Sequence, residues 1–206
     1  MSVNHQDVKV LPIVEEFYTI QGEGYYSGHP AYFIRIGGCD VGCPWCDTKI
    51  SWDASKHNSK SVDEIVKNAA DCPAPFVVVT GGEPLMYNLD YLCRGLKDAG
   101  METSLETSGA YPLSGTWDWI CLSPKINKPP VGDIFKQADE LKMVISDDKD
   151  LDWAFENAVL VNPSCKLYLQ PEWSVYRSVL PDVIEFVKNN PHWNISLQLH
   201  KFMRIP

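Results

Sequence analysis

The chain has 206 residues, 45% of them hydrophobic, and 18 Lys and Arg against 27 Asp and Glu give a formal net charge of −9. That length predicts a single domain over 1–206, burying roughly 70% of its unfolded surface without covalent staples. The acidic balance argues against nucleic acid or an anionic membrane as the main partner, and no run approaches the roughly 20 apolar residues of a membrane span.

Met1–Lys9 is polar and lacks an apolar signal core, so the expected location is the cytoplasm. Ile13–Tyr18 and Ala31–Ile36 then read as strands. The polar stretch 49–60 shows neither period and receives no element. Ser61 is placed to cap a helix reaching Ala70, with Glu64 three residues on as in a capping box. Phe76–Thr80 is a continuous apolar run stopped by Gly81-Gly82, the pattern of a strand buried on both faces. A helix over Leu89–Ala99 closes on Gly100. Strands follow at Glu102–Glu106, Trp119–Leu122, Leu141–Ile145 and Lys166–Leu169, with a helix near Lys149–Asn157. Val179, Leu180, Val183, Ile184 and Val187 share one face of a late helix, and Ile195–Leu199 alternates like a final strand.

Strand–helix alternation predicts parallel strands with helices outside. Six or so such units are too few for an eight-fold barrel. The expected fold is therefore α/β, a partial barrel of mostly parallel strands. Chemistry in such folds gathers at the C-terminal strand ends. Cys39, Gly81, Thr107 and Ser123 each follow a predicted strand, which brings four segments toward one site.

The cysteine count is seven, odd and unlike a secreted disulfide framework. Cys72, Cys93, Cys121 and Cys165 lie among apolar neighbours and read as small buried hydrophobes. Cys39, Cys43 and Cys46 stand apart, in a C-x3-C-x2-C spacing. Three thiolates hold three irons of a [4Fe–4S] cubane and leave the fourth open to a small chelating molecule. Zinc would want a fourth ligand, and the nearest histidines, His29 and His57, are irregularly spaced. Thr80-Gly81-Gly82-Glu83-Pro84 offers backbone that a ligand can approach closely. Glu106-Thr107-Ser108-Gly109 offers hydroxyls and a carboxylate for a ribose, and Ser123-Pro124-Lys125 a hydroxyl and a cation. Gln170-Pro171-Glu172 ends a later strand with an amide and a carboxylate.

The cysteine motif, with its aromatic Trp45 before the last cysteine, resembles the radical S-adenosylmethionine superfamily. There the open iron binds S-adenosylmethionine, and one electron cleaves it to a 5′-deoxyadenosyl radical. With Gln21-Gly22-Glu23-Gly24 and Arg35, the match to the 7-carboxy-7-deazaguanine synthase family runs over nearly the whole chain. The resemblance implies conversion of 6-carboxy-5,6,7,8-tetrahydropterin to 7-carboxy-7-deazaguanine with loss of ammonia, toward queuosine, and a Mg²⁺ requirement. It places Cys39, Cys43 and Cys46 on the cluster and Thr48 on Mg²⁺. Trp45, Cys46, Asp47, Gly82, Glu106, Ser123, Pro124, Lys125 and Gln170 fall against S-adenosylmethionine. Ile20, Gln21, Gly22, Arg35, Thr80 and Pro206 fall against the pterin, with Arg35 on its carboxylate. No catalytic group beyond the cluster is implied. A homodimer and an acidic flavodoxin or ferredoxin as electron donor are expected, the donor docking near Lys49, Lys56 and Lys60. A glycyl-radical activating enzyme shares the cysteine spacing but gives Arg35 and Gln21–Gly24 no role. A plain iron–sulfur or zinc module gives none to Gly81-Gly82.

Overall fold

The structure, a computed structural model, describes residues 8–206; Met1–Asp7, most of the polar N-terminal stretch, lie outside the described residues. β1 (Val10–Ile20) and β2 (Pro30–Ile36) pair antiparallel, with Phe17 opposite Phe33 and Tyr18 opposite Tyr32. β3 (Asn58–Ser61) covers the outer side of β1, also antiparallel. From β2 onward every pairing is parallel. β4 (Phe76–Gly81), β5 (Glu102–Thr107), β6 (Trp119–Leu122), β7 (Glu140–Ile145), β8 (Lys166–Pro171) and β9 (Trp193–Ile195) join in chain order. The resulting nine-stranded sheet runs β3-β1-β2-β4-β5-β6-β7-β8-β9 and does not close, which is the partial barrel that the alternation predicts.

Five helices lie between strands, α1 (Val62–Ala70), α2 (Asp90–Asp98), a single turn α3 (Ile134–Gln137), α4 (Lys149–Ala158) and α5 (Tyr176–Asn189), and α6 (Leu199–Met203) follows the last strand. Ser61 caps α1 as expected, its Oγ accepting from Glu64 N–H at 3.2 Å. α2 ends on Gly100 at φ 79°, where Met101 N–H turns back to Leu96 O. Both helices pack on one sheet face through Ile65, Leu92 and Leu96 against Ile34, Val77, Val79 and Leu105. The opposite face carries Ala31, Phe33, Phe76 and Val78 with Phe17 and Tyr26. Val77, Val78 and Val79 are all fully buried, the two-sided burial read from their continuous run.

Four expectations need correction. Ile195–Leu199 is not a strand: β9 is Trp193–Ile195, and α6 starts at Leu199. The alternation there is real, but Ser196 leaves the ladder to hydrogen-bond Gln170 Oε1, and Leu199 N–H donates to Gly22 O. On α5, Ile184 is exposed, and Phe186 instead meets Trp193 edge to face. Cys93, Cys121 and Cys165 are buried, whereas Cys72 is only partly buried against the core. The stretch 49–60 forms two 3-10 turns, Lys49–Trp52 and Ala54–Lys56, before β3. Asp53 holds the second turn by accepting from Ser55 N–H and Oγ.

Candidate active site

Strand alternation builds one site. On the sheet face away from α1 and α2, every second residue points inward: Phe33 and Arg35, Thr80, Glu106, Cys121, Lys142 and Val144, and Gln170 with Glu172. These side chains line a cavity of about 500 Å³, within the range of small-molecule sites. The cysteine loop and the C-terminal segment complete its wall. Of the residues that the resemblance assigns to the cluster, Mg²⁺, S-adenosylmethionine or the pterin, all but the buried Pro124 line this cavity; Gly24, Pro84 and Gly109 and the three lysines of the donor site lie outside it.

The cysteine loop follows β2 and is pinned by backbone. Gly38 N–H donates to Ser51 O at 2.6 Å, Cys39 N–H to Trp52 O at 3.1 Å, and Glu83 N–H to Gly38 O at 2.8 Å. A Cβ on Gly82 would sit 2.2 Å from Gly38 O and 2.8 Å from Cys39 Cβ. Glycine at Gly82 is therefore what lets the end of β4 press on the loop. Cys39, Cys43 and Cys46 are free and partly exposed. Burial pushes the Cys39 and Cys43 thiols up, and charge on the neighbouring thiols adds to it. Three mutually repelling thiolates suit a cationic iron cluster. Among the described residues no three His, Cys, Asp or Glu side chains converge on a single metal ion; cluster thiolates bind separate irons and need not converge. His29 and His57 turn ring nitrogens toward Tyr26 O and Ile50 O.

Glu83 is a bolt within the structure. Its carboxylate is buried and accepts from Leu85 N–H, Thr107 Oγ1, Ser108 N–H and Ser108 Oγ. The Thr107 and Ser108 hydroxyls expected at a ribose are thus spent on Glu83. Lys125 donates to Ser123 Oγ at 2.6 Å and lies 5.6 Å from the Trp45 ring centre; burial lowers its pKa.

At the cavity floor, Glu106 accepts from Gln21 Nε2 at 3.0 Å and Thr80 Oγ1 at 3.2 Å. Lys142, which the sequence reading missed, lies 2.6 Å from Glu23 Oε2 and 3.7 Å from Glu106 Oε1. Burial alone would raise the Glu23 carboxyl, but the Lys142 charge and hydrogen bonds from Lys142 and Gln198 hold it at about 2. Burial works against the Lys142 ammonium, yet the surrounding acidic groups keep its pKa well above the ordinary value. The signal was present: a lysine alternating with the apolar Leu141 and Met143 belongs on the other face of β7.

Arg35 is held by Glu15, Nε to Oε1 2.7 Å. Thr48 Oγ1 donates to Asp47 Oδ1 at 3.2 Å. Asp47 also pairs with Lys201 at 2.8 Å, and although burial raises its carboxyl, Lys201 brings it below the ordinary value. Thr19 Oγ1 donates to Pro206 O at 3.3 Å. Gln198, His200 and Lys201, also missed, reach the cavity from α6 and the residue before it. Burial lowers the His200 pKa. Cys121, expected as a plain buried cysteine, is buried and lines the cavity as well.

The profile of the Radical SAM superfamily matches residues 33–122, from β2 through β6. The 7-carboxy-7-deazaguanine synthase of Flavobacterium psychrophilum is 52% identical over 96% of this chain and 94% of its own length. That of Synechocystis sp. is 47% identical over 94% and 93%. The crystal structure of QueE from Escherichia coli superposes with a TM-score of 0.83 at 31% identity, covering 91% of this chain and 93% of that one. Identity of this extent over both full lengths, on a shared fold, makes the chain a member of the 7-carboxy-7-deazaguanine synthase family of radical S-adenosylmethionine enzymes.

Proposed function

We propose that this enzyme converts 6-carboxy-5,6,7,8-tetrahydropterin into 7-carboxy-7-deazaguanine with loss of ammonia, a step toward queuosine, in the cavity described above. The observation that carries this is the single wall shared by the three-cysteine loop and the polar set Gln21, Arg35, Thr80 and Glu106. Cys39, Cys43 and Cys46 would hold the cluster. Gly82, Ser123, Lys125, Gln170 and the Trp45–Asp47 stretch would hold S-adenosylmethionine. When bound, the two together supply one-electron cleavage and the radical chemistry it starts.

The chain's own residues do the rest. Arg35 pairs with the pterin carboxylate, anchored from behind by Glu15. Glu106, which the resemblance places against S-adenosylmethionine, is read here as a pterin contact instead, because it is locked to Gln21 at 3.0 Å and the pair presents an acceptor and an amide to the pterin edge. Ile20, Gly22 and Pro206 close around it and exclude water. Thr48 offers a hydroxyl to Mg²⁺, an ion that keeps most of its waters and asks few protein ligands. The electron donor would be a flavodoxin or ferredoxin at Lys49 and Lys56. Lys60 is the least available of the three, since it pairs with the buried Glu16 carboxylate, whereas Lys56 meets only the exposed Asp53 at 3.5 Å. Reversing the charge of Lys49 and Lys56 should slow reduction by flavodoxin and not by dithionite; equal effects would end the docking idea. A cytoplasmic homodimer completes the reading.

The test is anaerobic reconstitution followed by mass analysis, with and without Mg²⁺. Formation of 7-carboxy-7-deazaguanine, faster with Mg²⁺, is expected. Cleavage of S-adenosylmethionine with the carboxytetrahydropterin untouched would refute the substrate.

A further inference from the structure

Beside the cavity lies a second, smaller pocket of about 10 Å³, room for one water molecule. Gln21, Glu23, Glu106 and Cys121 line both spaces and form the partition between them. Glu140, the first residue of β7 and only 3% exposed, also lines the small pocket. Glu140 Oε2 already accepts from Tyr25 N–H and Trp119 Nε1, each at 3.1 Å. Glu140 Oε1 is buried without a hydrogen-bond partner among the described residues. A buried carboxylate oxygen left without a partner is costly, and a pocket of this size with polar walls is where a water would satisfy it.

We propose that a water in this chamber joins Glu140 to Glu106, and that the two carboxyl groups relay a proton to and from the substrate. This rests on the reaction proposed above. Glu106 is suited to the delivering end, since it lines both spaces. Glu140 is suited to storing the proton. Burial raises its pKa, the charge of Glu106 adds to this, and Lys142 with the Tyr25 and Trp119 hydrogen bonds opposes it. Cys121 on β6, Cys165 just before β8 and Tyr168 on β8 also sense Glu140, and Glu23 and Tyr26 line the pocket with it.

The balance closes without an added reactant. The Glu140 O–H bond breaks as the water takes that proton and passes one of its own to the Glu106 carboxylate. Glu106 gives it to the nitrogen departing as ammonia. The ring that nitrogen leaves releases one proton, which returns by the same path. No electron moves through the relay.

The variant Glu140→Gln keeps the shape and neutrality of a protonated carboxyl and removes its acidic proton. In the wild-type holoenzyme, a high-resolution crystal structure should show a water on Glu140 Oε1. Infrared difference spectra should show a protonated-carboxyl band that shifts in D2O and is missing from the variant. The variant should keep cluster absorption and bind S-adenosylmethionine and substrate normally, while forming product about 10²-fold more slowly. A dry chamber, no such band, or product formation at the wild-type rate would overturn the relay. The water and the band are read without substrate. If both are found and wild-type enzyme leaves carboxytetrahydropterin unchanged, the reaction falls and the relay's role with it.

Discussion

At the residue scale, Lys142 shows why a buried charge must be read with its company. Its ammonium lies 2.6 Å from Glu23 and 3.7 Å from Glu106, with the lysine side chain 7% exposed. Removing one partner of such a pair leaves the other buried and uncompensated, at a cost of about 3–5 kcal/mol. Lys142→Met should lose about that much at pH 7 in urea denaturation. The sign of the pH dependence follows from Glu23, held at about 2 against an ordinary 4.5. Its contribution is complete above pH 4.5 and disappears as pH falls toward 2. The gap between wild type and Lys142→Met should therefore be widest at neutral pH and shrink on acidification; a constant gap would contradict the pairing. Arg35 acts outward instead. Glu15 takes its Nε at 2.7 Å, and the terminal NH2 pair of a guanidinium is the part that matches a carboxylate. Losing a charged hydrogen bond of about 1.5–3 kcal/mol should weaken substrate binding about 10- to 100-fold in Arg35→Ala. The cluster spectrum should not change, because no bond from Arg35 to the cysteine loop holds that loop in place.

At the scale of elements, the join between β4 and the cysteine loop is set by backbone. A Cβ on Gly82 would meet Gly38 O at 2.2 Å, and backbone yields less readily than a side-chain tip. Gly82→Ala should displace the loop, lowering iron content after reconstitution and abolishing S-adenosylmethionine binding, both measurable on folded protein by iron assay and calorimetry. Normal iron content with normal binding would show that the loop can shift without loss. This join was legible in the sequence because glycines after an apolar strand have a definite use. The strands and major helices were legible for a similar reason: periods of 2 and 3.6 survive in the chain wherever one face is buried. Ile195–Leu199 was misread because alternation reports a face and says nothing of a partner strand; past Ile195 the chain bonds to Gly22 and Gln170 instead. Lys142 was missed because β7 read as an apolar run that hid its one inward cation. The site residues around the cysteines came from motifs. Gln198, His200 and Lys201 carry no motif, and only folding brings them to residues some 150 positions away.

For the whole molecule, an open sheet poses a problem that a closed barrel does not. Its edges β3 and β9 do not meet, so a cavity on its inner face needs another cover. The chain supplies one after β9. Leu199 N–H donates to Gly22 O at 2.9 Å, Lys201 pairs with Asp47 at 2.8 Å, and Pro206 O receives Thr19 Oγ1 at 3.3 Å. Phe202 adds edge-to-face contacts with Trp173 and Tyr176. The segment thus ties β9 to the end of β1 and to the residue after Cys46. No residue of α6 is buried, so the strap closes the cavity without belonging to the core. Deleting residues 199–206 should accordingly shift the melting temperature by only a few degrees, since little apolar area is lost. Iron content should stay normal, because the cysteine loop keeps its bonds to Ser51, Trp52 and Glu83. Substrate affinity should fall at least about 10-fold, as the pocket loses its cover and water enters. Truncated enzyme that binds the carboxytetrahydropterin as tightly as the full chain would show that the open side of the sheet needs no cover.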